Sequence, residues 1–97
     1  MKTKIIDRLL DLNELDGVTV EVTGHKEKTV VIQHARHHVP NYKFKWVTDD
    51  HFVGYIVDQD LVVKNTQALV TLRTPLDAIL FASSYVLNVN ICARQRA

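Results

Sequence analysis

Histidines carry the densest chemical signal in this chain. His34, His37 and His38 fall within a few residues of one another, and His51 follows beside Asp49 and Asp50. Imidazole is the commonest metal ligand, and a zinc or nickel site needs three or four such groups at about 2 Å from the ion. Two features weigh against one here. No pair has a recognised ligand spacing, and adjacent His37 and His38 on an extended strand would point to opposite sides. No metal and no cofactor is therefore assigned, and a metal-dependent activity at the histidine cluster stands as the second alternative, after nucleic-acid binding. With Arg36, the histidines are read as a polar binding rim. The chain's five histidines also raise a pH switch between about pH 5 and 8, for which exposed loop histidines titrating without consequence are the simpler account.

A second grouping is basic and aromatic. Arg36, Lys43 and Lys45 are interleaved with Tyr42, Phe44 and Trp46, the mixture that single-stranded nucleic acids meet on stacking surfaces. Strand alternation works against that use, because it sends the lysines to one face and the aromatics to the other. The four aspartates at positions 49, 50, 58 and 60 would also repel phosphate. A nucleic-acid surface on residues 36–46, helped by Arg94 and Arg96, is thus the alternative reading and not the leading one.

Catalysis has less to stand on. Cys92, Ser83, Ser84 and Tyr85 are nucleophile or acid types, but nothing orders them: the sequence has no GxSxG elbow, CxxC, HExxH or glycine-rich phosphate loop. Its three glycines, at 17, 24 and 54, are too scattered to cradle a phosphate. The paired aspartates occupy turns, where Asp is expected on conformational grounds alone. No catalytic residue is assigned.

Composition sets the frame for these groups. The chain has 97 residues, 46% hydrophobic and 24% charged, with a formal net charge of +1. That is one ordinary globular domain, spanning 1–97, with enough apolar surface to offset chain entropy. The charge is too small to imply a polyanionic or membrane-surface partner. A single cysteine rules out an intrachain disulfide and is compatible with a reducing compartment. No run approaches the ~18 apolar residues of a membrane span, and Asp7, Arg8 and Asp11 interrupt the apolar residues near the N-terminus. A soluble cytoplasmic protein is expected.

The elements that must position these groups are legible from periodicity. Ile5, Ile6, Leu9 and Leu10 fall at helical spacing over Thr3 to Leu12. Val18–Thr23 and Thr29–Ala35 alternate as a hairpin whose inner face would carry Val18, Val20, Val22, Val30 and Ile32, with His34 following Ile32 inward. Tyr42 to Val57 reads as a second hairpin with its turn in Thr48 to His51, and Gly54 inside it marks a bulge or a close helix contact. Short strands are predicted at Leu61 to Lys64, Gln67 to Arg73 and Val89 to Cys92.

Between the last two strands, Thr74 supplies an N-cap, Pro75 occupies the first helical position and Asp77 suits the positive helix end. The helix is predicted to stop at Asn88 and to bury Leu76, Ile79, Leu80, Ser83, Val86 and Leu87. Phe81 and Tyr85 then lie off the buried stripe, so the helix is apolar on nearly every side.

The sequence thus specifies an α+β domain: an antiparallel sheet of about five to six strands in hairpins, with an N-terminal and a C-terminal helix on one face. Its function is read as non-catalytic protein binding, including self-association as a homodimer. The expected binding residues are His34, Arg36, His37, His38, Lys43, Lys45 and His51. The expected interface is Phe81, Tyr85, Val89 and Ile91, on the helix and a terminal edge strand.

Overall fold

The structure is a computed structural model that describes residues 4–35, 40–48, 51–58, 60, 62–63 and 67–94, for 90–94 the backbone alone. The first element, α1 (Ile5–Leu10), runs into a 3-10 turn at Asp11–Glu14. Five strands follow: β1 (Val18–Thr23), β2 (Thr29–His34), β3 (Asn41–Thr48), β4 (His51–Val57) and β5 (Val70–Leu72). The chain closes with α2 (Pro75–Arg94). The strands pair in sequence order, each antiparallel to the next, so the sheet is a simple meander.

Alternation assigns the two faces as predicted. Inner rows run Val20, Ile32, Tyr42, Ile56 and then Val22, Val30, Phe44, Gly54, Val70, with Trp46, Phe52 and Leu72 beyond them. This face and both helices share one core that includes Ile5, Leu9, Leu12, Ala78 and Tyr85. Val22, expected inside, lies at the rim with 36% of its surface exposed, and Val31 on the other face is buried instead. Gly17, at φ 80°, turns the chain from the 3-10 segment into β1 in a conformation that costs glycine least. Asn13 seals β1 on its open side: its side-chain Oδ1 accepts from Val20 N–H at 2.7 Å and its amide donates to Val20 O at 3.3 Å. A side chain thereby occupies backbone groups that an edge strand would otherwise offer to another chain.

Aromatic rings fasten α2 to the sheet. Phe81 meets both Tyr42 and Phe44 edge-on, each at 5.0 Å between centroids, and Tyr85 meets Tyr42 at 6.0 Å. Such edge-to-face pairs add about 0.5–1.5 kcal/mol each beyond the area they bury. They also correct the predicted stripe. Tyr85 is 1% exposed and Phe81 packs against the core, whereas Leu76, Ile79, Leu80 and Leu87 face outward. Hydrophobic count could not choose between two apolar sides of the helix. The ring sockets on β3 did.

The end of the helix also differs. α2 continues through Asn88, and residues 89–92 are helical, not a strand. Continuation keeps Val89 one turn beyond Tyr85 and two beyond Phe81, on the same packed side. Burial there outweighs the weak helix preference of Val and Asn. The start is as read: Thr74 N–H donates to Asp77 Oδ2 at 3.1 Å and Asp77 N–H to Thr74 Oγ1 at 3.2 Å, a reciprocal cap. Bonds from the Arg73 and Thr74 backbones hold the Asp77 carboxyl below its ordinary pKa.

Two smaller expectations change. The strand predicted from Gln67 shortens to Val70–Leu72, and within the predicted Leu61 to Lys64 strand the described residues give one bridge, Val63 to Val57. Asp58 shapes the turn before it, accepting from Asp60 N–H and Val62 N–H at 2.9 Å each. Gly54 marks neither a bulge nor a helix contact. A Cβ there would fall 2.7 Å from Cδ1 and 2.9 Å from Cζ of Phe44 on the neighbouring strand.

Because Phe81 holds the Phe44 ring in place, that ring cannot swing clear of a new methyl group. Gly54→Ala is expected to cost about 1–3 kcal/mol in chemical denaturation, as overpacking does, and Phe44→Leu to recover part of the loss. Tyr85 gives a second prediction. Its hydroxyl is buried and has no hydrogen-bond partner among the described residues. Burial, reinforced by Tyr42, raises its pKa well above the ordinary phenol value. Unfolded tyrosine ionises first, from about pH 10, so this contribution to stability is complete below that pH and is lost as pH rises above it. Tyr85→Phe should therefore stabilise the fold by about 1 kcal/mol at neutral pH and flatten the alkaline loss in melts followed by circular dichroism.

Candidate functional site

A meander places successive turns at opposite ends of the sheet, and this geometry separates the predicted histidine rim. His34 pairs with Val18 at one end, where its N–H donates to Asn41 Oδ1 at 2.9 Å and its ring lies against Gly17. His51 begins β4 and pairs with Thr48 at the other end. Asn41, beside His34, is opposite Val57, so the two histidines are separated by nearly the length of β4, about 20 Å at 3.3 Å per residue. Arg36, His37, His38, Asp49 and Asp50 lie outside the described residues. Among the described residues, no group of three or more His, Cys, Asp or Glu is placed to hold a metal.

Lys43 and Lys45 occupy the outer face of β3, with Tyr42 and Phe44 buried beneath the helices. An aromatic beside the lysines comes from β4: Lys45 Nζ stands 5.5 Å from the centre of the Tyr55 ring. Of the expected interface residues, Tyr85, Phe81 and Val89 are committed to the core, and the Ile91 side chain is outside the described set. The lone cysteine's side chain is likewise outside it. Ser83 Oγ donates to Ile79 O at 3.0 Å, the back-bond expected of serine inside a helix.

The same alternation that parts the histidines brings together groups far apart in sequence. The β1–β2 turn and the β3–β4 turn share an end of the sheet, so Lys26 and Lys28 come beside Trp46 and Phe52. The Trp46 N–H donates to Lys28 O at 3.1 Å, which fastens the first turn to β3. The start of α1 closes the remaining side with Lys4 and Ile5. Together they line a cavity of about 160 Å³ with an apolar floor and three ammonium-bearing side chains around it. Among the described residues no acidic side chain lines it; Asp7, the nearest acid in sequence to Lys4, is turned back to accept from the Lys4 backbone N–H at 3.3 Å.

Sequence reasoning grouped Trp46 with Lys43 and Lys45 and missed this site. The usable signal was topological: in a run of hairpins, first and third turns are neighbours. A second concavity, between the 3-10 turn and α2, has Leu12, Leu15, Ile79 and Val86 as its apolar wall and Arg8, Asp11 and Glu14 on its rim. Arg8 and Asp11 on that rim form an exposed ion pair at 3.4 Å.

Compared with known protein families, curated proteins and solved structures, the chain matches none. Among the described residues, no helix is long and apolar enough to cross a membrane.

Trp46 is the only tryptophan, so the lysine-rimmed cavity has a built-in optical reporter. Its half-buried indole should emit to the blue of free tryptophan. Iodide should quench it more efficiently than caesium at equal concentration, because three lysines concentrate anions beside the ring. Lys26→Gln with Lys28→Gln should narrow that difference, and equal quenching by both ions in the unaltered protein would contradict the arrangement.

Proposed function

We propose that this chain is a non-catalytic protein-interaction module that self-associates through the outer side of α2. The observation that carries the reading is exposure: Leu76, Leu80 and Leu87 are 61%, 60% and 59% exposed on one side of a packed helix. Isolated exposed leucines need no explanation, but a continuous apolar stripe marks a binding surface. No charged residue occurs between Asp77 and Arg94 to interrupt it.

The spacing favours a second copy as the occupant. Leu76, Leu80, Ser83 and Leu87 are separated by four, three and four residues, the repeat of a coiled-coil seam. A two-fold axis near Ser83 and Ser84 sets Leu80 of one copy against Leu87 of the other, with the helices antiparallel and their dipoles opposed. Small side chains at the axis permit close approach, and the Ser83 hydroxyl is already bonded within its own helix. Isologous contacts of this kind are the commonest route to homodimers. The nucleic-acid alternative has less support, since Tyr42 and Phe44 are unavailable for stacking.

Light scattering coupled to size exclusion should give a dimer mass that dissociates on dilution. Leu80→Glu with Leu87→Glu should leave the circular dichroism spectrum unchanged and weaken association at least about a hundredfold, as expected for charges buried at a seam. A monomer at high concentration, or a dimer that survives both substitutions, would refute the reading.

A further inference from the structure

We propose that the cavity between the start of α1, the β1–β2 turn and the β3–β4 hairpin binds a small aromatic anion, one ring bearing a carboxylate or phosphate. The argument rests on size, floor and charge. At about 160 Å³ the cavity is smaller than typical drug-sized pockets, which run from about 300 Å³ upward. It is close to the roughly 150 Å³ known to accommodate a benzene ring. A single ring fits, whereas a nucleotide's base and sugar together do not. Ile5, Trp46 and Phe52 supply the apolar floor, and Ile5 and Phe52 are almost fully buried, which holds that floor rigid.

Charge selects the rest of the ligand. Lys4, Lys26 and Lys28 come from two separate segments and line one opening, with no carboxylate among the described lining residues. Lysine is a compact point charge with rotatable donors, suited to an anion whose oxygens need not be held in a fixed fork. A ring on the apolar floor leaves its charged group to the three lysines that line the cavity. Neither half of the ligand is expected to suffice. An inorganic anion forgoes the floor, and a neutral ring forgoes the lysines.

The site does not depend on self-association, because none of its lining residues belongs to the leucine stripe of α2. It also needs no ordering of new structure, since the Lys28 carbonyl is already bonded to the Trp46 N–H.

The test uses the full chain, with Trp46 emission and backbone amide shifts as two readouts and benzoate and phenyl phosphate as probes. Inorganic phosphate and phenol serve as half-ligand controls. At least one probe should bind saturably, about tenfold or more tighter than either control, with weaker binding at high salt. Amide shifts should concentrate at residues 4–6, 26–28, 46 and 52. Which probe binds better assigns the charged group as carboxylate or phosphate. Lys26→Gln with Lys28→Gln, at exposed or half-exposed positions that the core does not use, should lower affinity about tenfold with no change in the circular dichroism spectrum. Lys4→Gln should act in the same direction. Absence of saturable binding by both probes, equal binding of either control, or unchanged affinity in the lysine variants would overturn the assignment.

Discussion

The Phe81 ring, held edge-on against both Tyr42 and Phe44, is the interaction on which the rest of the arrangement depends. It sets the rotation of α2 about its own axis, and that rotation decides which apolar side of the helix is covered. With Phe81, Tyr85 and Val89 turned to the sheet, Leu76, Leu80 and Leu87 point away from it. The same ring stack presses Phe44 onto Gly54 and removes any room for a side chain there. One aromatic contact therefore links a glycine in β4 to the exposure of leucines on the far side of a helix.

Meander topology supplies the second constraint. Turns that follow one another in the chain end up at opposite ends of the sheet, and turns two apart become neighbours. His34 and His51, which sequence proximity had joined, are parted by this rule. Lys28 and Trp46, separated by a whole strand and a loop, are joined by it through a backbone hydrogen bond. The cavity they share with Lys4 combines an apolar floor and a cationic mouth, neither of which is evident in any single segment.

The two surfaces proposed for function differ in physical character. The outer side of α2 exposes Leu76, Leu80 and Leu87, with no charged residue between Asp77 and Arg94 in the sequence, which suits an apolar protein surface. The cavity is small, concave and basic, which suits a small anion. Asn13, whose side chain occupies the Val20 backbone, counts against the free edge of β1 as a third surface.

Local pattern by itself determined the fold class, the two hairpins, the burial of Tyr42 and Phe44 with Lys43 opposite, and the capped start of α2. Each of these follows from residues within a few positions of one another, where a period of two or a cap sequence acts directly on the backbone. What only the tertiary structure decided were choices between locally equivalent options. Residues 75–89 are apolar on nearly all sides, so periodicity could not say which side the sheet would take; the sockets beside Tyr42 and Phe44 chose Phe81 and Tyr85. Val89 to Cys92 suits a strand as readily as a helix, and continued packing of Val89 made it helical. The cavity required knowing which turns share an end of the sheet. That is a property of strand order, and no window of sequence contains it.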